Sequence, residues 1–369
     1  PATIDVLNSL GQRRDPARLL RLATMRSSEP AVASAPLRRA HADLLARPHA
    51  SQLRLQPLSD DEVAGYLDLR VGRDLSREIG AAMHQLTAGN PLFLATAIDH
   101  LVRKGYIVDS RDGWRAQVPA ETLAGAVPAS LAGTVTRALE ELAGDERQAI
   151  DAASVVGTEF SLWLAAHAAD MDELALEPVF EMLARRRTFI VREGVVELAN
   201  GIFSPVYRFT HGLYQEIVLE HTDPKTRADA HGRAGRAMER VFAGREHEAA
   251  ADLACHFHGA GDHLRAAQYL RVAAGNALKR YAPREAAALL HGAVTHAAHL
   301  PPDERTRVEM SLMLELGQAQ LATGETDLGI LTLRRLERRA GDERRHDDRL
   351  RALLTLAEAQ VGIAREAAL

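Results

Sequence analysis

The chain has 369 residues, a formal net charge of −5, 46% hydrophobic residues and only 4% aromatics. This length accommodates two or three domains, and so few aromatics favour helices packed on Ala and Leu over a β-sandwich. The acidic balance argues against a basic nucleic-acid-binding surface, the one cysteine, Cys255, excludes a disulfide framework, and no apolar run reaches the roughly 18 residues of a membrane span.

In chain order, the Ile4, Leu7 and Leu10 spacing predicts a helix, and Asp15-Pro16 punctuates it. RLLRLATMR (18–26) suits a buried strand, and QLRLQPLS (52–59) reads as a second strand through the alternation of Leu53 and Leu55. Ser59-Asp60-Asp61-Glu62 then signals a helix start with acids in its first turn. Strand, helix and strand signals at this spacing point to the trailing half of an α/β domain. Helix patterns run from Asp74 through His100, interrupted by the turn Gly89-Asn90-Pro91 in TAGNPLFLATAIDHLV (87–102). Asn caps helices well and Pro is comfortable in a first turn, so helix entry explains that turn. A second role, presenting a proline ring and open backbone to a nucleotide base, is compatible with the first.

KGYIVDSRDGWRAQV (104–118) reads as a hairpin around Asp112-Gly113. Ser130 opens a helix reaching about Ala143, Asp145 caps another ending at Val156, and helices follow near 161–168 and 174–185. TFIVREGVVEL (188–198) and VYRFTH (206–211) are β-prone, and helices followed by a hairpin make the arrangement of a winged helix. Past about Pro224 everything is helical and Ala-rich. LELGQAQL (314–321) recurs as LTLAEAQV (354–361), with small residues at Gly317 and Ala357 and again at Ala319 and Ala359. Close helix contacts need small side chains there, which predicts stacked hairpins of irregular tetratricopeptide type.

LLRLATMR, LQPLSDDEVAGYL, TAGNPLFLATAIDHLVRKGYIV, AVPASL, YRFTHGLYQEIVLEHTDPKTRADAH and LACHFHGAGDHLRAAQYLRVAAGNALKRYAPREAAALL follow one another in this order. In that order they resemble, essentially end to end, the STAND class of AAA+-related signal-transduction ATPases, in particular bacterial ATP-binding transcriptional regulators and adenylate cyclases. The resemblance implies a mainly α chain: the C-terminal part of an ATPase core over 1–125, a winged helix over 126–223 and tetratricopeptide-like repeats over 224–369. It implies nucleotide held between core and winged helix, with Arg26 sensing the terminal phosphate and Gly89, Asn90 and Pro91 contacting adenine. His211 matches the winged-helix histidine that contacts the diphosphate, although capping of the helix beginning near Gly212 explains it equally well.

None of the three lysines, Lys104, Lys225 and Lys279, stands in a G-x-x-x-x-G-K-[ST] loop. The acidic metal-binding strand implied by the resemblance lies upstream of PATIDVL, so the chain reads as a piece beginning just after it. ATP or ADP with Mg²⁺ is therefore expected in a full-length parent, and no tight nucleotide binding by this piece alone. Expected partners are a protein or small inducer on the repeats, a further copy of the chain in the ATP state, and DNA only through a domain outside this sequence. The location implied is cytoplasmic, without membrane contact. A non-catalytic repeat scaffold is the competing reading.

His247, Cys255, His256, His258 and His263 crowd one stretch, but His256 and His258 point to different sides of a helix, so no metal site is expected. Arg185-Arg186-Arg187 could face nucleic acid on a winged helix, but the nearby Glu177, Glu181 and Glu193 favour a solvated basic turn. Asp170, Asp172 and Glu173 read as a surface loop with helix-start charges.

Overall fold

The computed structural model describes residues 22–24, 41–45, 50–110, 113–119, 122–123 and 126–366. Its regular structure is mainly helical, and the chain divides into compact units, Arg54–Phe242 forming one and the helices from Ala243 onward belonging to the other.

The first unit opens with α1 (Asp60–Val71), α2 (Arg73–Thr87) and α3 (Pro91–Arg103), followed by the hairpin β1 (Ile107–Ser110) and β2 (Gly113–Ala116). The expected start signal at Ser59 is a full capping box. Glu62 N–H donates to the Ser59 hydroxyl at 3.4 Å, and the Glu62 carboxylate accepts from Ser59 N–H at 2.8 Å. Val63, Leu67, Leu75, Ile79, Met83, Leu94, Ile98, Leu101 and Ile107 close the core of these elements.

The expected strand over 52–59 is not formed: Leu53 and Leu55 are 85% and 88% exposed, and the segment is coil. Alternation alone cannot make a strand; the ladder needs a partner, and both sheets among the described residues are antiparallel and lie elsewhere. The expected helix over 4–10 lies outside the described residues. Of 18–26 only Leu22–Thr24 are described, and they are exposed coil.

The same unit continues with α4 (Leu131–Glu140), α5 (Gly144–Val156), β3 (Glu159–Ser161), α6 (Leu162–Ala169), α7 (Glu173–Arg186), β4 (Ile190–Glu197), β5 (Phe203–Phe209), α8 (Gly212–His221) and α9 (Pro224–Val241). The three strands are ordered β3-β5-β4, all antiparallel, with an irregularity between Arg192 and Gly194 that leaves Glu193 unpaired in the ladder. Four aromatics gather under this sheet: Phe160 lies 5.4 Å from Phe180, 6.1 Å from Tyr207 and 5.7 Å from Phe209, between ring centroids. Asp145 does not cap α5 as expected; Ala143 holds that position, and Glu146 reaches back to its N–H at 3.1 Å. Asp172 does cap α7, accepting from Leu174 N–H at 2.8 Å. Helix α9 buries Ala230 and Ala234 among residues of α5 and α6, so it belongs with this unit.

In the other unit a short 3-10 turn (Glu246–Ala249) leads into α10 (Ala250–Gly259), α11 (His263–Lys279), α12 (Pro283–Ala297), α13 (Pro302–Ala322), α14 (Thr326–Asp342) and α15 (His346–Glu366), each packed on its neighbour in sequence. Four of the connections repeat one motif. A left-handed residue (Gly261, Tyr281, Gly324, Arg344) is followed by an N–H that donates to the carbonyl five residues back. These bonds run from Asp262 to Phe257 (2.9 Å), Ala282 to Ala277 (2.9 Å), Glu325 to Gln320 (3.0 Å) and Arg345 to Ala340 (2.8 Å). The core here is mostly alanine with Leu290, Leu312 and Leu316. Gly317 meets the expectation of close approach, since a Cβ there would stand 2.7 Å from Leu333 Cγ. Its counterpart Ala357 is exposed.

Candidate functional site

The turn before α3 is fixed by backbone contact. Gly89 is left-handed, with φ +69°, and its carbonyl accepts from Leu58 N–H at 2.8 Å. A Cβ on Gly89 would lie 2.0 Å from the Leu58 carbonyl oxygen, so no other residue fits unless the turn moves. His84 Nε2 also meets the Leu58 carbonyl oxygen at 3.1 Å, which pins the coil against α2. Asn90 caps α3, its side-chain oxygen accepting from Phe93 N–H at 3.1 Å, and Pro91 takes the first helical position. Asn90 and Pro91 are both exposed, so the proline ring is available to a ligand.

Helix α3 joins the sheet region through its other face. Thr96 Oγ1 is hydrogen-bonded to the buried Tyr214 hydroxyl, whose pKa burial pushes up. At the far end Arg103 donates to Thr188 Oγ1 at 3.4 Å. A cleft of about 460 Å³ opens alongside these contacts. Helix α3 lines it from Leu92 to Arg103, α4 supplies Thr134, Val135 and Ala138, and the opposite wall is Arg185–Phe189 with Thr210, His211 and Tyr214.

His211 sits at the start of α8, where its Nδ1 accepts from Leu213 N–H at 3.1 Å. A nitrogen that accepts carries no proton, so the imidazole proton is on Nε2. Nε2 makes no hydrogen bond among the described residues. The capping role is therefore realised, and the other edge of the ring remains to face the cleft.

Five guanidinia line the cleft (Arg70, Arg103, Arg185, Arg186, Arg187) against one carboxylate, Asp99. Asp99 is engaged by Arg70 at 3.0 Å. Arg186 reaches the buried Glu146 at 3.0 Å. Surrounding protein lowers the Arg103 pKa by desolvation, partly offset by Asp99 and Glu141. Arg185 and Arg187 have no carboxylate partner among the described residues. Of the acids expected to neutralise them, Glu181 is committed to Arg192 and the Tyr207 hydroxyl and Glu193 to Arg208, while Glu177 lies beside Arg185 on α7 without pairing to it.

Of the residues expected at a nucleotide site, Arg26 lies outside the described residues. Gly89, Asn90 and Pro91 form one contiguous turn that lies outside the cleft lining, which includes His211 and on the α3 side begins at Leu92, the next residue. The basic wall was not anticipated in this role, because an arginine run in a sequence does not show which acids will turn toward it. In the repeats His258 Nδ1 meets His296 Nε2 at 3.1 Å and His263 Nδ1 meets His296 Nδ1 at 2.9 Å. These contacts use opposite edges of one ring, and no set of three or more His, Cys, Asp or Glu among the described residues is arranged to hold a metal ion. No described helix is long and apolar enough to cross a membrane. No protein-family model matches the chain, and no curated protein or solved structure is significantly similar to it.

Proposed function

We propose that the chain is the regulatory body of a nucleotide-dependent switch of STAND type, with ADP or ATP as ligand. In this reading residues 126–223 are a winged helix that includes His211, and the helices after it are tetratricopeptide-like, although α9 packs within the first unit. The β3-β5-β4 order, with a helix pair between β3 and β4, supports the first assignment. The repeated left-handed turns support the second. One observation carries the functional reading: helix α3, from Leu92 onward, and His211 line one basic cleft within one compact unit. Adenine would reach past the cleft lining to the exposed Pro91 ring at the start of α3, and the phosphates would meet the Nε2–H of His211. Nucleotide occupancy and a protein or small inducer on the repeats would each favour one arrangement of the chain over another.

Calorimetric titration of ADP and ATP into the chain with Mg²⁺, at concentrations into the millimolar range, tests this. His211→Asn keeps an N-cap acceptor while removing the imidazole, and Pro91→Ala removes the ring. Each is expected to weaken ADP binding without unfolding the unit. Unchanged ADP affinity in both variants would refute the proposal and favour the competing reading, a repeat scaffold without nucleotide.

A further inference from the structure

We infer that Arg103, Arg185 and Arg187 form a polyphosphate clamp along the cleft. It binds the phosphate portion of a nucleotide, and inorganic pyrophosphate alone, without a glycine-rich phosphate loop. The inference deepens the nucleotide reading and rests on the same cleft.

The first argument is charge. A chain with a net charge of −5 gathers five arginines and one carboxylate around a single concavity. Internal ion pairs consume Arg70 and Arg186, leaving Arg103 from α3 and Arg185 and Arg187 from the end of α7 in the cleft lining. Guanidinia held close together repel one another unless an anion lies between them. The second argument is geometry. Arg103 ends α3, while Arg185 and Arg187 close α7, and Arg187 is held in a left-handed conformation, with φ +52°. That turn carries the chain directly into Thr188, the hydroxyl that receives Arg103. The donors thus come to one cleft from separate elements, and the planar guanidinium fork matches a pair of phosphate oxygens. The third argument is size. About 460 Å³ suits a small ligand and is far too confined for a nucleic-acid duplex.

The test is calorimetric titration of the chain with pyrophosphate, ADP, adenosine and citrate at two ionic strengths. Pyrophosphate and ADP are expected to bind, more weakly at high salt, with citrate weaker than pyrophosphate. The double reversal Arg185→Glu/Arg187→Glu is expected to lower pyrophosphate affinity at least about ten- to a hundredfold, the value of one charge-assisted hydrogen bond. Arg307→Glu, on α13, is expected to leave it unchanged. Because Arg185 is exposed, Arg185→Gln alone provides the readout should the double variant not fold. Pyrophosphate binding that survives the reversal, or no pyrophosphate binding at all, overturns the clamp. So does citrate binding as tightly as pyrophosphate. Adenosine binding without pyrophosphate binding overturns the clamp while leaving the base contact at Pro91 standing. Pyrophosphate binding to which adenosine adds nothing upholds the clamp and removes the nucleotide reading.

Discussion

Gly89→Ala isolates the contact on which the start of α3 depends. An L-residue at φ +69° costs about 1–2 kcal/mol in left-handed strain. The added methyl would also sit 2.0 Å from the Leu58 carbonyl oxygen, so the coil must retreat and the 2.8 Å bond from Leu58 N–H is lost, for about 1 kcal/mol more. The expected destabilisation is about 2–3 kcal/mol, equivalent to a fall in melting temperature of about 4–12 °C for a unit of this size. The assay is selective, because the only tryptophans, Trp114 and Trp163, both lie in the Arg54–Phe242 unit. Tryptophan fluorescence in a urea titration follows that unit alone. Asn90→Ala, which removes only a cap, should cost about 1 kcal/mol. A Gly89→Ala loss no larger than that of Asn90→Ala would show that the Leu58 contact does not hold the turn.

Three further outcomes are expected elsewhere. Burial, reinforced by repulsion from His258, His263 and His299, depresses the His296 pKa from its ordinary 6.5. The folded repeat array therefore takes up fewer protons than the unfolded one as pH falls through that value. Its stability is complete above about 6.5 and declines below, and His296→Gln should flatten the decline in melts followed by circular dichroism between pH 7.5 and 5. Tyr281, left-handed at φ +57° and 94% exposed, should gain about 0.5–1 kcal/mol on replacement by Gly, measured as a raised denaturation midpoint; a loss would mean that the ring has a contact of its own. Gly317→Ala should destabilise the array by about 1–2 kcal/mol despite better helix propensity, because the new methyl meets the fully buried Leu333; a neutral or stabilising result in the same melts would mean that the α13–α14 approach is looser than the 2.7 Å contact requires.

Much of the local structure was legible because its causes are local. The Ser59–Glu62 box, the Asn90-Pro91 entry and the Asp172 cap depend on residues within one helical turn of each other, and each formed where its chemistry stood in the sequence. The 52–59 strand failed because Leu53 and Leu55 alternate correctly but have no ladder partner, which is a tertiary fact. The offset between Gly317 and Ala357 succeeded at the position with a helix against it and not at the exposed one. At the site, the Gly89-Asn90-Pro91 turn and the capping side of His211 were readable for the same local reasons. The basic wall was not, since everything turned on which side chains Glu181 and Glu193 reach, and those partners are neighbours only in the folded sheet.

The position of His211 imposes a choice on the molecule. To secure the beginning of α8 its Nδ1 must keep a lone pair, and a ring that keeps it is uncharged. An anion arriving on the opposite edge would be gripped harder by an imidazolium, yet a second proton would release Leu213 N–H. The edge of the ring that carries Nε2–H is thus the one that can meet a ligand while the start of α8 stays capped.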